Sequence, residues 1–261
     1  MWSRERGAAR LCGLSTFWRG ALDLALPPSC ADCGARVDAS AALCPDCDRR
    51  LERIAIGLCP LCQEVAAATR GERCAACAAS ASALIACVAA VRYAGDAERW
   101  IHRFKYPRGG LRGLDPAPFS VVGALLREAA ARAPGNRPDL VVPVPQHPRR
   151  LRARGFNPAA LLARNLAREL RIPVDPVALC RTRDTPSQTS LDRRQRRRNV
   201  RGAIRVRRKL RLPERVWLID DVVTTGSTMA EAAAALRRAE VTTVVGVCAA
   251  RALSDASDPR S

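Results

Sequence analysis

Eight of the chain's twelve cysteines stand in four C-x-x-C pairs: Cys30/Cys33, Cys44/Cys47, Cys59/Cys62 and Cys74/Cys77. Ten residues lie between the first two pairs and eleven between the last two. Each pair presents two thiolates from a tight knuckle, and two knuckles complete a tetrahedral all-sulfur site. Gly34 and Pro60 suit such turns. The surrounding sequence, including "EVAAATRGERCAACAASASA", has almost nothing to bury, so bound metal must supply the folding energy of this stretch. Sequential pairing gives two zinc ribbons over residues 28–80. A crossed pairing, an iron–sulfur cluster and redox dithiols are the alternatives the spacing leaves open. The four remaining cysteines, Cys12, Cys87, Cys180 and Cys248, read as small apolar core residues.

This cysteine usage fits a reducing, cytoplasmic compartment. No secretory signal is evident, because Arg19 and Asp23 break the only early apolar run. No apolar stretch approaches membrane-spanning length. Residues 14–26 instead place Leu14, Phe17, Trp18, Ala21, Leu22 and Ala25 on one helical face, stopped by Pro27 and Pro28. The expectation is a docking helix within residues 1–27.

The formal charge of +19 is unevenly distributed. Residues 1–100 hold 12 basic and 11 acidic residues, whereas residues 145–211 hold 20 basic and 4 acidic. A general preference for arginine, with only Lys105 and Lys209 as lysines, does not explain that segregation. Such a patch attracts the phosphates of a nucleotide or nucleic acid; a solvated arginine-rich face is the plainer alternative.

Beyond the cysteines the pattern becomes one of alternating strands and helices, predicting a domain over residues 86–253. "CVAAVRY", "DLVVPVP", "VALC", "RVWLIDD" and "TTVVGVCAA" read as strands. Helices are expected over Glu98–Tyr106, Phe119–Ala133, Pro158–Leu170 and Ser227–Arg238. Strands that are apolar throughout, separated by helices, imply an α/β fold with a parallel sheet covered on both faces. Residues 254–261 form a polar tail.

One corner of this domain carries chemistry. The stretch "LIDDVVTTGST" places Asp220 and Asp221 at the carboxyl end of an apolar strand, where open parallel sheets bind ligands. The residues that follow, Val222, Val223, Thr224, Thr225, Gly226, Ser227 and Thr228, are small and hydroxylated. Their backbone N–H groups can wrap an anion, and the next helix adds its positive end. The two carboxylates can grip vicinal hydroxyls or a hydrated Mg2+. A sugar phosphate with a free diol satisfies both halves.

This stretch resembles the phosphoribosyl-pyrophosphate (PRPP) loop of type I phosphoribosyltransferases. With "DLVVPVPQHPRRLRARGFNPAALLARNLA", "RTRDTPSQTSLDRRQRRRNVRGAI", "YAGDAERWIHRFKY" and the cysteine-rich head, nearly the whole chain resembles the competence protein F (ComF) family. The resemblance implies zinc ribbons ahead of a phosphoribosyltransferase-like domain, PRPP bound with Mg2+, and a role with incoming single-stranded DNA in natural transformation. A helicase-type protein is an implied partner. It also implies that Asp220 and Asp221 hold the ribose and Thr224–Thr228 the 5′-phosphate. Val144–Arg154 corresponds to the segment that meets pyrophosphate, with Arg149, Arg152 and Arg154 as anion contacts. Arg181, Gln188, Arg196 and Asn199 match the segment that closes over the site. Three departures stand out. Pro158 replaces a family glutamine, Ile204 replaces a phenylalanine, and Val223 and Thr224 stand where purine-type transferases carry an acid. The acceptor is therefore unidentified, and a non-catalytic nucleic-acid-binding or adaptor role built on the same fold is the alternative. His102 reads as a surface residue of a basic helix, and His147 as a residue of the pyrophosphate segment without an assigned role.

Overall fold

A computed structural model describes residues 28–64, 71–107, 115–183, 202–207 and 211–253. The expected docking helix of residues 1–27, the tail 254–261, and the candidates Gln188, Arg196 and Asn199 lie outside the described residues. The chain divides into two compact units, residues 1–50 and 51–261.

In the first unit, residues 28–50 fold around sulfur. Gly34 closes the first knuckle with a left-handed backbone (φ 76°), and its N–H donates to the Cys30 carbonyl at 3.0 Å. Helix α1 (Pro45–Arg49) carries the second pair, with proline at its first turn, where a missing N–H costs nothing. The buried residues are Cys30, Cys44 and Cys47, flanked by Val37 and Leu43. An apolar core this small cannot hold a fold without metal, in agreement with the composition.

The second unit is built on a four-stranded parallel sheet, β1 (Ala86–Arg92), β2 (Leu140–Pro143), β5 (Arg215–Val223) and β6 (Thr243–Arg251), in the order β1-β6-β5-β2. Its strands are almost continuously buried, as expected of a parallel sheet with both faces covered. Helix α3 (Gly95–Lys105) packs on α4 (Pro116–Ala131). Helix α4 lies over β1 and β6, and α6 (Pro158–Leu170) over β5 and β2. The short α5 (Pro148–Arg154) follows β2. Helix α7 (Ser227–Arg237) packs against β5 and β6 and against the hairpin strand β4 (Ile204–Val206). The "VALC" segment does not join the four-stranded parallel sheet: β3 (Leu179–Arg181) pairs antiparallel with β4 in a two-stranded sheet of its own. Gly246 of β6 is required by packing, since a Cβ there would meet Cys87 Sγ at 3.0 Å and Met229 at 3.1 Å.

The outer edge of β1 is covered by the chain that leads into and through the second cysteine quartet. Arg92 N–H donates to Glu52 O (2.8 Å), Ile54 N–H to Ala90 O (2.9 Å) and Cys87 N–H to Pro60 O (2.7 Å). Between them the side chain of Gln63 imitates a peptide, accepting from Ala89 N–H at 2.8 Å and donating to Ala89 O at 3.0 Å. Arg251, buried at the end of β6, donates to the same Gln63 Oε1 (3.1 Å) and to Cys87 O (2.8 Å). An exposed edge strand would template aggregation, and this segment closes it. Helix α2 (Ala75–Ala78), within the last cysteine pair, belongs to the same unit.

Gln63→Leu keeps the volume but strips both Ala89 bonds and one Arg251 bond. Each orphaned buried group costs about 1–3 kcal/mol, so a loss of about 2–4 kcal/mol is expected. It should appear as a lower urea midpoint with an unchanged slope. Among the described residues, no helix is long and apolar enough to cross a membrane.

Candidate functional site

The cysteines assemble as the sequential pairing anticipates. Cys30, Cys33, Cys44 and Cys47 form one group and Cys59, Cys62, Cys74 and Cys77 another, with the sulfurs of each within 4.8 Å of one another. Cys33 and Cys44 sulfurs lie 3.6 Å apart, and Cys62 and Cys74 sulfurs 3.7 Å apart. Tetrahedral coordination with Zn–S bonds of about 2.3 Å requires about 3.8 Å, so both quartets fit zinc as they stand. In each quartet one thiol is prepared for metal. Burial alone would raise the pKa of Cys30, but N–H groups of Cys33, Cys44 and Asp32 outweigh it and bring it down to about 6. Cys59 is brought to about 6 in the same way, by N–H groups of Cys62, Cys74 and Leu61. All eight positions are filled by thiolates, so both centres are closed, as structural sites are.

The second candidate site lies at the carboxyl end of β5. The strand runs through the acidic pair to Val223, so both carboxylates are carried on regular sheet rather than on a loop. Asp221 is 5% exposed and Asp220 is half-buried. Asp221 Oδ1 accepts from Val222 N–H at 2.7 Å and pairs with the Lys105 ammonium at 3.2 Å. Lys105 comes from the last turn of α3, and sequence reasoning passed over it. Burial opposes its charge, yet Asp221 and Asp220 hold its pKa above the ordinary lysine value. Burial pushes Asp220 up to about 8, with the Asp221 charge adding to the rise and Lys105 opposing it. The pair therefore carries less than two full negative charges at neutral pH.

The next turn is open to an anion. Thr224 is exposed, and Gly226 takes a left-handed conformation (φ 72°) as the N-cap of α7, where it has no side chain of its own to cap the helix. Glycine is the residue for that geometry, and the uncapped N–H groups keep their positive end available. Thr225 and Ser227 hydroxyls sit 2.9 Å apart, and Ser227 N–H contacts Thr225 Oγ1 at 3.4 Å. The turn is thus held by its own hydroxyls. Val222 and Val223 finish β5, while Thr228 lies in the first turn of α7.

The segment after β2 is partly helical. Val144 and Asn157 tie its two ends together, with Asn157 Nδ2 donating to Val144 O at 3.1 Å. His147 caps α5, its Nδ1 accepting from Arg149 N–H at 3.3 Å, which gives this histidine a structural role. Arg149 and Arg152 are exposed on α5, and Arg154 stacks over the Tyr106 ring at 4.7 Å from its centroid. Gln146 Oε1 is buried with no hydrogen-bond partner among the described residues. An orphaned buried acceptor is costly unless something completes it. Arg181 lies on β3, in the hairpin that packs with α7. His102, in the basic last turn of α3, packs on Tyr106 with ring centroids 4.9 Å apart. Cys87 and Cys248 are buried in adjacent strands, as small core residues should be.

Comparison with known proteins agrees with this architecture. Residues 21–78 match the double zinc ribbon domain family. The chain is 33% identical over 217 residues to DNA utilization protein YhgH of Salmonella typhimurium, a match covering 81% of this chain and 91% of that protein. It is 38% identical over 170 residues to the protein of that name from Escherichia coli K12, covering 64% and 72%. Against Competence protein F of Haemophilus influenzae the identity is 34% over 140 residues, covering 53% and 60%. Paired four-cysteine centres ahead of a parallel α/β sheet, which is consistent with the phosphoribosyltransferase-like fold, accompany these likenesses, and the chain belongs to the competence protein F (ComF) family.

Proposed function

We propose that the chain binds PRPP with Mg2+ at the carboxyl end of β5 and works alongside single-stranded DNA in DNA uptake or handling in the cytoplasm. The observation that carries this reading is the acidic pair on β5, followed directly by an uncapped helix N-terminus with a glycine in the left-handed conformation. Asp220 and Asp221 grip the ribose diol. The Thr224–Thr228 turn receives the 5′-phosphate through N–H groups and hydroxyls. Arg149, Arg152 and Arg154 meet the pyrophosphate, and Arg181 approaches from the β3–β4 hairpin. Mg2+ comes with the ligand, since among the described residues only the two cysteine quartets form metal cages. Two carboxylates suit an ion that keeps most of its water, and such an ion neutralises charge on departing pyrophosphate.

The DNA part of the proposal rests on the names of the relatives, DNA utilization protein and Competence protein F, and on the basic excess of residues 145–211. That excess equally favours a second reading, in which the fold binds nucleic acid or a protein partner without transferring ribose phosphate. Thr224 in place of an acid agrees with it. Calorimetric titration with PRPP and Mg2+ tests the first reading. Saturable binding is expected, weakened at least about a hundredfold in the Asp220→Asn/Asp221→Asn double variant. That factor corresponds to about 2.7 kcal/mol, the scale of two lost charge-assisted hydrogen bonds. No binding in either protein leaves the second reading, for which a steep salt dependence of single-stranded DNA binding is the signature.

A further inference from the structure

The arginines of the basic segment reach both ends of the parallel sheet. Those of α5 follow the carboxyl end of β2. Helix α6 runs back from that end, and its exposed Arg164 and Arg168, with Arg171 at its C-cap, stand four and three residues apart. That spacing puts them in one stripe on the solvent side of the helix, about 10 Å long.

The stripe ends at a groove of about 680 Å3 near the amino end of the sheet. Its floor is apolar, built from Ala130 of α4, Leu166 and Leu170 of α6, and Trp217 of β5. Trp217 is 7% exposed, and it lines this groove. The rim carries Arg127, Arg137 and Arg171 against one acid, Glu169. Glu169 accepts from Arg127 at 3.1 Å and from Asn165 at 2.7 Å, so Arg137 and Arg171 set the charge of the rim.

Arginines at the end of a helix favour its negative pole, which accounts for Arg168 and Arg171. It does not account for Arg164, about two turns earlier, or for Arg137, which lies between α4 and β2. Arg171 is moreover left-handed (φ 53°), a conformation that glycine adopts without strain. Four cations along one helix and into one groove suit a ligand with negative charges repeated every few ångströms. The apolar floor suits a flat group attached to it. A single strand of DNA has both, since its bases are unstacked and its phosphates follow one another along an extended backbone.

We infer that single-stranded DNA binds at the amino end of the sheet, its backbone along Arg164, Arg168, Arg171 and Arg137 and one base against the apolar floor. The inference rests on the DNA part of the proposed function, and it separates the DNA from the sugar-phosphate corner. Trp217 and Asp220 lie on the same strand, three residues and about 10 Å apart, so both ligands can be held at once.

The test uses the full zinc-loaded chain and a fluorescein-labelled oligothymidylate, with anisotropy followed across a salt series. Arg164→Gln/Arg168→Gln/Arg171→Gln removes three phosphate contacts, so the slope of log affinity against log salt should fall by about 2. At about 0.1 M salt that change is a loss of about a hundredfold. Arg137→Gln alone, in a loop, should lower the slope by about 0.7, and melting temperatures report whether each variant is folded. Arg149→Gln/Arg152→Gln/Arg154→Gln on α5 should change the slope by less than the α6 triple variant does. An abasic oligonucleotide of the same length should bind the unmodified chain severalfold more weakly with the same slope. Equal losses from the α5 and α6 variants, or a larger one from α5, overturn the amino-end track and leave DNA binding standing. Equal affinity of the abasic and thymidylate strands overturns the base-receiving floor. Absence of salt-dependent binding to the unmodified chain overturns the DNA reading itself, and the groove's assignment with it.

Discussion

Cys59→Ser should lower the melting temperature of the α/β unit by about 10 °C or more, whereas Cys30→Ser should leave that transition in place. Both substitutions remove one thiolate from a four-cysteine centre, and each should reduce bound zinc by one equivalent. The difference lies in what each centre supports. The first quartet holds only residues 28–50, whose buried residues are three cysteines. The second belongs to the unit that contains the sheet, and its knuckle residue Pro60 accepts from β1 while Gln63 completes the Ala89 peptide. Structural zinc contributes on the order of 10–16 kcal/mol of apparent binding energy at neutral pH, more than most domains have to spare. Losing even about 4 kcal/mol through the second centre shifts a domain of this size by about 10 °C. Differential scanning calorimetry with zinc quantified by mass spectrometry measures both. Equal shifts from the two variants would mean that the second ribbon is an appendage and not part of the sheet's edge.

The contrast between the two ribbons marks where sequence reading reaches its limit. Cysteine spacing is a local code, so all eight ligands could be read directly; their pairing could not, and the structure groups them sequentially. Direct reading also holds for "LIDDVVTTGST", where strand, turn and helix start are contiguous and each residue type has a local reason. Helix α6 begins at Pro158, as a proline at a first turn should, with Asn157 as the cap. What escaped was non-local. Nothing around Gln63 signals that its amide will stand in for a peptide beside β1. The apolar "VALC" stretch reads as a sheet strand because periodicity identifies an extended segment but not its partner; its partner is Ile204–Val206. His147 lies in a segment assigned to pyrophosphate, yet its ring nitrogen caps α5. Lys105 is invisible for the same reason: α3 must pack on α4 before its last turn meets β5.

That lysine carries the second large effect. Lys105→Ala should destabilise the unliganded protein by about 2–4 kcal/mol near pH 8, and the deficit should shrink as the pH falls towards 5. Removing one partner from a buried ion pair costs about 3–5 kcal/mol, because the other charge stays behind. Lys105 is about a quarter exposed, which lowers the expected figure somewhat. The pH dependence has two parts. Lys105 titrates above its ordinary value, so the stability it contributes is present across the neutral range and is lost only as the pH rises through its raised pKa. Asp220 is the opposite case, a carboxyl raised to about 8 by burial and by Asp221. The folded state holds its proton longer than the unfolded chain does, so stability falls as the pH rises from about 4 to about 8. Without Lys105 the two carboxylates face each other uncompensated, and that fall becomes steeper. Urea midpoints of the native chain and of Lys105→Ala between pH 5 and pH 9 give the comparison, with Asp220→Asn as the control. Asp220→Asn alone should flatten the slope and raise the midpoint at pH 8, since it removes the carboxylate that is hardest to ionise. Parallel curves for the native chain and Lys105→Ala would mean that the 3.2 Å contact with Asp221 is too well solvated to matter. Diverging curves would show an acidic corner held together by one cation, at a cost in stability that the proposed diol ligand would relieve.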